Sequence, residues 1–444
     1  MDFDLLEKVV RRAQELGADD VVAKWDQLRE WQVKFVDNKI ATGMSSYASE
    51  ISLFVSKDKK IGLTTIKNFS GKNLEESVSK LLRFTNKMHP NEEYGGIAQG
   101  PFRYKFVKGL YDGRIAKMED NAVGFVEEGV NSAIEEGAKR ASGVLKYNVG
   151  EEFLVTSNDV EASERGSGVY FSIRALADKD ASGHKVCCST TLRDFSPGKT
   201  GGRAGQVAKK ALSPVKGEVG RYDIIFDPYS FANLLNIVMD SASIFSVEAG
   251  FSSLGGKLNK KVASSEVTLI DDGSLPRGLS SSKFDSEGVP TKRNVVIDRG
   301  VLKTYLHNTS TAAKYKVKTT ANAGLLAPKP WNAILKRGEY GEEELFGEVK
   351  RGLYITNLWY TRFQNYEKGD FSTIPRDGIF LIEKGELKKS LKEIRLSDNM
   401  LRMLQNIAGI SRREEQIIGW EMEIPVITPH VLVKGVRVTR PTSA

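Results

Sequence analysis

The chain has 444 residues, 40% of them hydrophobic and 27% charged. This is an ordinary globular composition, which excludes wholesale disorder, a collagen-like helix and a small disulfide scaffold. Lys and Arg number 65 against 57 Asp and Glu, so the net charge is +8, too mild over this length to demand a nucleic-acid partner. The length suggests two or three domains. Four histidines and the adjacent pair Cys187-Cys188 narrow the scope for metal and thiol chemistry. Neighbouring cysteines rarely bridge each other, so the expectation is a reduced, cytoplasmic setting. The start, Met1-Asp2-Phe3-Asp4, is acidic where a signal peptide is basic, and no apolar run reaches the ~20 residues of a membrane helix.

Leu6, Val9, Val10, Ala13 and Leu16 share one helical face, with Asp4 and Glu7 at capping-box spacing and Gly17 as a stop. Strands follow where Trp31, Val33 and Phe35, then Ile51, Leu53 and Val55, alternate with polar residues. Lys57-Asp58-Lys59-Lys60 is a turn, and Asn73 opens a second helix carrying Val78, Leu81 and Leu82. Residues 87–112 read as a linker. Met118, Ala122, Val126 and Ala133 predict a long helix, and residues 152–157 and 168–177 predict strands. Residues 194–203 read as a loop into a short helix ending near Leu212. No repeat of fixed period is visible. Ser213-Pro214 through Gly220 is the expected boundary between a 1–215 α+β domain, in two parts around the linker, and a β-rich 220–444 domain.

In the second half, Tyr222–Phe226 predicts a strand, and Asp227-Pro228 caps a helix with Pro at its first position. Val267–Ile270 reads as a strand closed by Asp271-Asp272-Gly273. Asn294–Ile297 and Val301–Leu306 flank a hairpin turn, as Phe380–Ile382 and Leu387 flank Lys384-Gly385. Leu401–Ile407 predicts a helix and Val426–Val438 a last strand. The fold class is α+β: two domains, helices packed on mixed and antiparallel sheets, the C-terminal half mostly antiparallel with hairpins.

The chemical motifs are sparse. None of His89, His184, His307 and His430 is followed by Glu or has a second His at helical distance, so the zinc-peptidase helix is absent. His184 with Cys187 and Cys188 is the one soft-ligand cluster, but in a strand the two cysteines point to opposite faces. Pro197-Gly198-Lys199-Thr200 lacks the earlier Gly of a phosphate loop, and Gly166-Ser167-Gly168 lacks the rest of the dinucleotide fingerprint, so both read as plain loops. Ser280-Ser281-Ser282-Lys283 has Ser-x-x-Lys spacing between glycines, which favours a loop over a Ser–Lys nucleophile. The stretch Leu358–Tyr366 could stack bases, or be a strand followed by a peptide-contacting loop.

One segment is distinctive. Phe251–Val262 and Val267–Gly273 precede Phe284-Asp285-Ser286-Glu287-Gly288, which is followed by Gly300–Leu306 and Thr319–Ala323. Gly352–Asn357, Thr361-Arg362-Phe363, Gly369–Ser372 and Gly378–Glu383 continue the series. This order resembles the TldD/PmbA family. The resemblance implies a metallopeptidase for short or unfolded peptides, built as a heterodimer of a TldD-type chain and a PmbA (TldE)-type chain. The TldD-type chain carries His-Glu-x-x-x-His and a later Cys as metal ligands. Here Asp240–Gly256 has Glu248 and no His, and no Cys follows Gly419. The resemblance therefore implies a PmbA/TldE-like subunit with no catalytic residue and no metal of its own. Zinc or a similar metal is expected in a TldD-like partner, and this chain helps to form the substrate cleft.

The candidate substrate-binding residues are Phe284, Asp285, Ser286, Glu287, Gly288 and Arg362. Asp285 and Glu287 could equally only shape a turn. The alternatives are a stand-alone homodimeric metallopeptidase using His307 or His430 with nearby acids, and a nucleic-acid or regulatory binding protein.

Overall fold

The computed structural model describes residues 2–440; Met1 and residues 441–444, the end of the expected second domain, lie outside the described residues. Two antiparallel meanders build the first sheet. One is β1 (Asp20–Val36), β2 (Lys39–Lys57) and β3 (Lys60–Ile66). The other is β4 (Arg140–Thr156), β5 (Glu161–Asp178) and β6 (Ala181–Ser189). They join through β1 and β4 in the order β3-β2-β1-β4-β5-β6. Helices α1 (Asp2–Glu15) and α2 (Gly71–Thr85) bracket the first meander, as α3 (Glu119–Glu135) and α4 (Pro197–Lys210) bracket the second. The chain thus repeats a helix–three strands–helix unit that no fixed spacing in the sequence announces. The stretch 87–112 between the units holds no helix or strand.

Strand alternation gives each face its cover. Odd-numbered Val21, Ala23, Ile51, Leu53 and Val55 pack under Leu6, Val9, Val78 and Leu81 of α1 and α2. Phe35, Leu145, Phe171 and Ile173 pack under Val126, Val130, Ala204 and Ala208 of α3 and α4. The even-numbered face is left for the second half of the molecule.

That half contains β7 (Val215–Lys216), β8 (Gly220–Phe226), β9 (Leu269–Asp272), β10 (Arg293–Asp298), β11 (Val301–Leu302) and β12 (Ala333–Leu335). Then come β13 (Arg351–Asn365), β14 (Asp370–Glu383), β15 (Glu386–Lys392), β16 (Arg395–Asn399), β17 (Ile407–Ile417) and β18 (Val426–Thr439). Most pairs are antiparallel; β8–β13, β12–β18 and β7–β15 are parallel. The run β18-β8-β13-β14 closes on itself because β16 pairs with both β14 and β18. Helix α5 (Pro228–Asp240) packs against β8, β12, β13, β17 and β18, and all but two of its residues are buried. A helix covered on most of its circumference needs apolar residues over most of it, and Phe231, Leu234, Leu235, Val238 and Met239 supply them. Shorter helices α6 (Ile244–Glu248), α7 (Thr309–Tyr315), α8 (Glu342–Gly347) and α9 (Met400–Gln405) fill the connections.

The α+β class holds, with several local corrections. Asp4 lies inside α1 and Asn73 inside α2, which follows Ser70. Gly166-Ser167-Gly168 is regular strand in β5, and Pro197–Thr200 is the first turn of α4, where Pro fits because no N–H is required. Asp271 and Asp272 belong to β9, and the strand expected at 301–306 stops at Leu302. Among the described residues no helix is long and apolar enough to cross a membrane.

Helices α3 and α4 approach at glycines. A Cβ on Gly201 would stand 1.9 Å from the Gly129 carbonyl oxygen, whereas one on Gly124, on the exposed side of α3, would meet nothing within 4 Å. Gly201→Val should therefore cost about 1–3 kcal/mol or more through overpacking. Gly124→Ala should add roughly 0.5–1 kcal/mol by helix propensity. Urea unfolding of both variants checks the pair; equal effects would refute the close crossing.

A carboxylate-lined cavity between the two halves

Register decides what the even face presents. Asp26 of β1 lies opposite Glu152 of β4, which lies opposite Glu164 of β5, so three carboxylates form one row across the sheet. Like charges in register destabilise a sheet. Lys24, two residues from Asp26 and on the same face, answers them: its Nζ lies 2.9 Å from Glu152 and 3.3 Å from Asp26. Burial lowers the Lys24 pKa, but the two carboxylates outweigh it and hold the ammonium charged. Burial pushes Glu152 up to about 7 despite Lys24. Burial raises Glu164 too, whose Oε2 accepts the Lys283 N–H at 2.8 Å.

This row is one wall of a cavity of about 1200 Å³. The opposite wall comes from the second half. Asn233, Asn236 and Asp240 project from α5, and Ser280, Ser281 and Ser282 from a loop. Phe363 and Tyr366 stack with ring centroids 5.1 Å apart, and Trp331 and Trp420 complete an aromatic rim. The cavity offers hydroxyls, amides, both signs of charge and aromatic faces in one space.

Of the sequence candidates, Phe284, Asp285, Ser286 and Arg362 line this cavity; Glu287 and Gly288 are not in its lining. Asp285 Oδ1 accepts the N–H groups of Glu287 and Val289, and its Oδ2 accepts that of Ala323, each at 3.0 Å. Burial lifts its pKa to about 7 against these three bonds. The Glu287 carboxylate accepts the Thr309 N–H at 3.3 Å, and burial with the Asp285 charge raises it to about 8. Gly288 takes φ +81° where a Cβ would stand 2.3 Å from Val160. Turn-shaping thus accounts for Asp285, Glu287 and Gly288, while Phe284 packs on Tyr104 with centroids 5.4 Å apart. Arg362 lays its guanidinium over Tyr360, 4.1 Å from the ring centre.

A second polar cluster seams the halves. Asp227 caps α5 by accepting the Tyr229 N–H at 3.0 Å, and it also meets Lys185 Nζ of β6 and Tyr354 OH. His430 Nε2 stands 3.8 Å from the same carboxylate. Nearby, Asp377 accepts from Arg174, Ser182 and Asn357. His184 lies 3.3 Å from the Asn357 amide, and His307 packs beside Tyr315. The histidines therefore sit in separate places. Among the described residues no three His, Cys, Asp or Glu side chains are grouped to hold a metal ion. Cys188 Sγ contacts the Gln416 carbonyl, while Cys187 packs towards α3 and α4 on the other face.

Sequence reasoning missed the Lys24–Asp26–Glu152–Glu164 group. Its signal was weak: charged residues among many polar ones on three amphipathic strands, meaningful only once register is known. The folded-state pKa of Glu152 lies above its ordinary 4.5. The folded protein then holds that proton more tightly, and this contribution to stability is lost as pH rises from about 4.5 through about 7. Glu152→Gln should flatten that part of the stability–pH curve. It should also remove a carboxyl resonance titrating near 7 in a carbon-13 NMR titration; an unchanged spectrum would contradict the assignment.

Residues 219–440 match the PmbA/TldA metallopeptidase C-terminal domain, and residues 117–212 match the central domain of the same family. A metalloprotease of Methanothermobacter thermautotrophicus is 30% identical over 293 residues, which are 62% of this chain and 61% of the relative. The match thus spans less than two thirds of that relative's length. An uncharacterized protein of Methanocaldococcus jannaschii is 27% identical over 97% of this chain and 99% of its own length. The crystal structure of TldE from Thermococcus kodakarensis has the same fold, with a TM-score of 0.87 at 22% identity over 98% of this chain and 100% of that one. The two domain matches together span most of the chain, and the chain belongs to the PmbA/TldD metallopeptidase family.

Proposed function

We propose that this chain is the PmbA/TldE-type subunit of a TldD/TldE-type peptidase complex, acting in the cytoplasm on short or unfolded peptides. The observation that carries the reading is the cavity of about 1200 Å³, walled by both halves, in a metallopeptidase-family chain whose own donor side chains are not grouped for a metal. A pocket for a drug-sized ligand occupies ~300–1,000 Å³, so this space suits a peptide of several residues. A TldD-like partner would hold zinc or a similar ion and supply its chemistry.

This chain's residues would bind and orient. Asn233 gives its NH2 to the Leu358 carbonyl, Asn236 takes two backbone N–H groups on its oxygen, and Ser281 and Ser282 donate to carbonyls within the chain. The Asn233 oxygen, the Asn236 NH2 and the Ser280 hydroxyl can therefore meet a peptide backbone, whose ordering entropy must be offset by such bonds. Trp331, Phe363 and Trp420 offer surface for apolar side chains, and Arg362 stands ready for a carboxylate. Asp285 would hold the loop that positions Ser286.

Tryptophan fluorescence can read occupancy, because Trp331 and Trp420 line the space. Titrating unstructured octapeptides into the isolated chain should give a saturable change. Arg362→Ala and Trp420→Ala should weaken it at least about fivefold, as hot-spot truncations do. Adding a metal-loaded TldD-type relative should create peptide cleavage that neither chain shows alone. Stoichiometric transition metal in the isolated chain, or cleavage by it alone, would overturn the subunit reading.

A further inference from the structure

Strand β2 is paired along its whole length with β1, but β3 covers its outer edge only from Ile51 to Lys57. From Lys39 to Glu50 no strand among the described residues lies on that edge. Every residue from Lys39 to Ala48 is exposed, including Ile40, Met44 (57%) and Tyr47 (59%). An open edge carries a row of unpaired N–H and C=O groups, and proteins commonly guard such edges with Lys, Pro or a bulge. Here the ten residues Ile40 to Ser49 contain no charge and no Pro, in a chain that is 27% charged. The one bulge leaves Ala41 unpaired next to the turn, and the strand is regular from Thr42 onwards.

The charges lie only at the ends, Lys39 at one and Glu50 at the other. Run antiparallel to itself about Ser45, the segment keeps both members of each pair on one face, sets Thr42 against Ala48 and, with bulged Ala41 as the extra residue, brings Lys39 of each copy to Glu50 of the other. The same patch then serves both sides, as a two-fold interface requires.

We propose that the β2 edge, Lys39 to Glu50, is a docking surface for the same strand of a second copy of this chain. The two six-stranded sheets would join there edge to edge. Main-chain hydrogen bonds supply the contact, as in strand addition generally, and the Lys39–Glu50 pairs select the antiparallel, in-register arrangement. This goes beyond the peptidase reading and does not depend on it.

Sedimentation velocity on the untagged full chain provides the test, with circular dichroism and thermal unfolding as folding controls. The wild type should be a dimer at micromolar concentration. Lys39→Glu places like charges at both ends of the joint and should raise the dissociation constant at least about tenfold. Adding Glu50→Lys to Lys39→Glu restores opposite charges and should recover the dimer. Ser45→Pro, in the middle of the edge, should leave monomer. A monomeric wild type, a dimer indifferent to these substitutions, or a chain that pairs only with a metal-bearing relative would each overturn the proposal.

Discussion

The molecule is organised around the contact between Lys185 and Asp227. Lys185 comes from β6 of the first sheet, and Asp227 stands where β8 of the second sheet turns into α5. Both side chains are almost wholly buried. Burial alone would lift the Asp227 pKa, yet the charges of Lys185, His430 and Arg203 hold it below the usual carboxylate range. Removing one partner would strand a buried charge, which costs about 3–5 kcal/mol, so the pair tolerates little movement between the halves. The same carboxylate accepts the Tyr229 N–H and the Tyr354 hydroxyl, and so fixes the start of α5 against β13. Since α5 fills the core of the second half, one side chain sets the position of that core and its distance from the first sheet.

The cavity follows from the even-numbered face of the first sheet. Beside this pair, Val186 and Tyr170 meet the second half's core directly, and the halves pack. Further along the sheet the even face carries Lys24, Asp26, Glu152 and Glu164, which cannot be stripped of water and pressed against apolar side chains without a cost of several kcal/mol per ion. The two halves therefore stand apart there. The gap is the consequence of a polar row on one face of a sheet whose other face packs under α1 and α2 in one place and under α3 and α4 in another. Lys24 makes the row tolerable, because one ammonium shared by two carboxylates lowers the repulsion that register would otherwise impose.

Much of this architecture was legible wherever a local rule governs. The turns at Asp58-Lys59, Arg299-Gly300 and Lys384-Gly385 carry positive φ, as short hairpin turns require, and each was readable from a polar, Gly-containing or charged break. Asp227-Pro228 was readable as a cap for the same reason. What depends on distant residues was not. The pairing of β1 with β4 joins residues more than one hundred positions apart, and it alone places Asp26 beside Glu152. In β17, Arg412-Arg413-Glu414-Glu415 hides a strand whose Ile407, Ile410 and Ile417 are buried. The loop at Phe284–Gly288 was found by resemblance, and the structure divides it: Phe284, Asp285 and Ser286 reach the cavity, while Asp285, Glu287 and Gly288 secure the turn.

That division bears on how the family's signature acts in this chain. A motif containing two acids invites a chemical role for both, yet Asp285 spends both oxygens on three backbone N–H groups and Glu287 faces Thr309 outside the cavity. Burial lifts each acid's pKa well above the carboxylate range, and the backbone N–H donors oppose that lift by favouring the ionised form. The geometry gives them the task of fixing the loop's conformation, so that Phe284 packs against Tyr104 and Ser286 stands at the wall. Outside the motif, Lys24, Asp26 and Glu152 are paired with one another, and the Asn233 NH2, the Asn236 oxygen and the Ser281 and Ser282 hydroxyls are engaged within the chain, so it is the Asn233 oxygen, the Asn236 NH2 and the Ser280 hydroxyl that a bound peptide would meet.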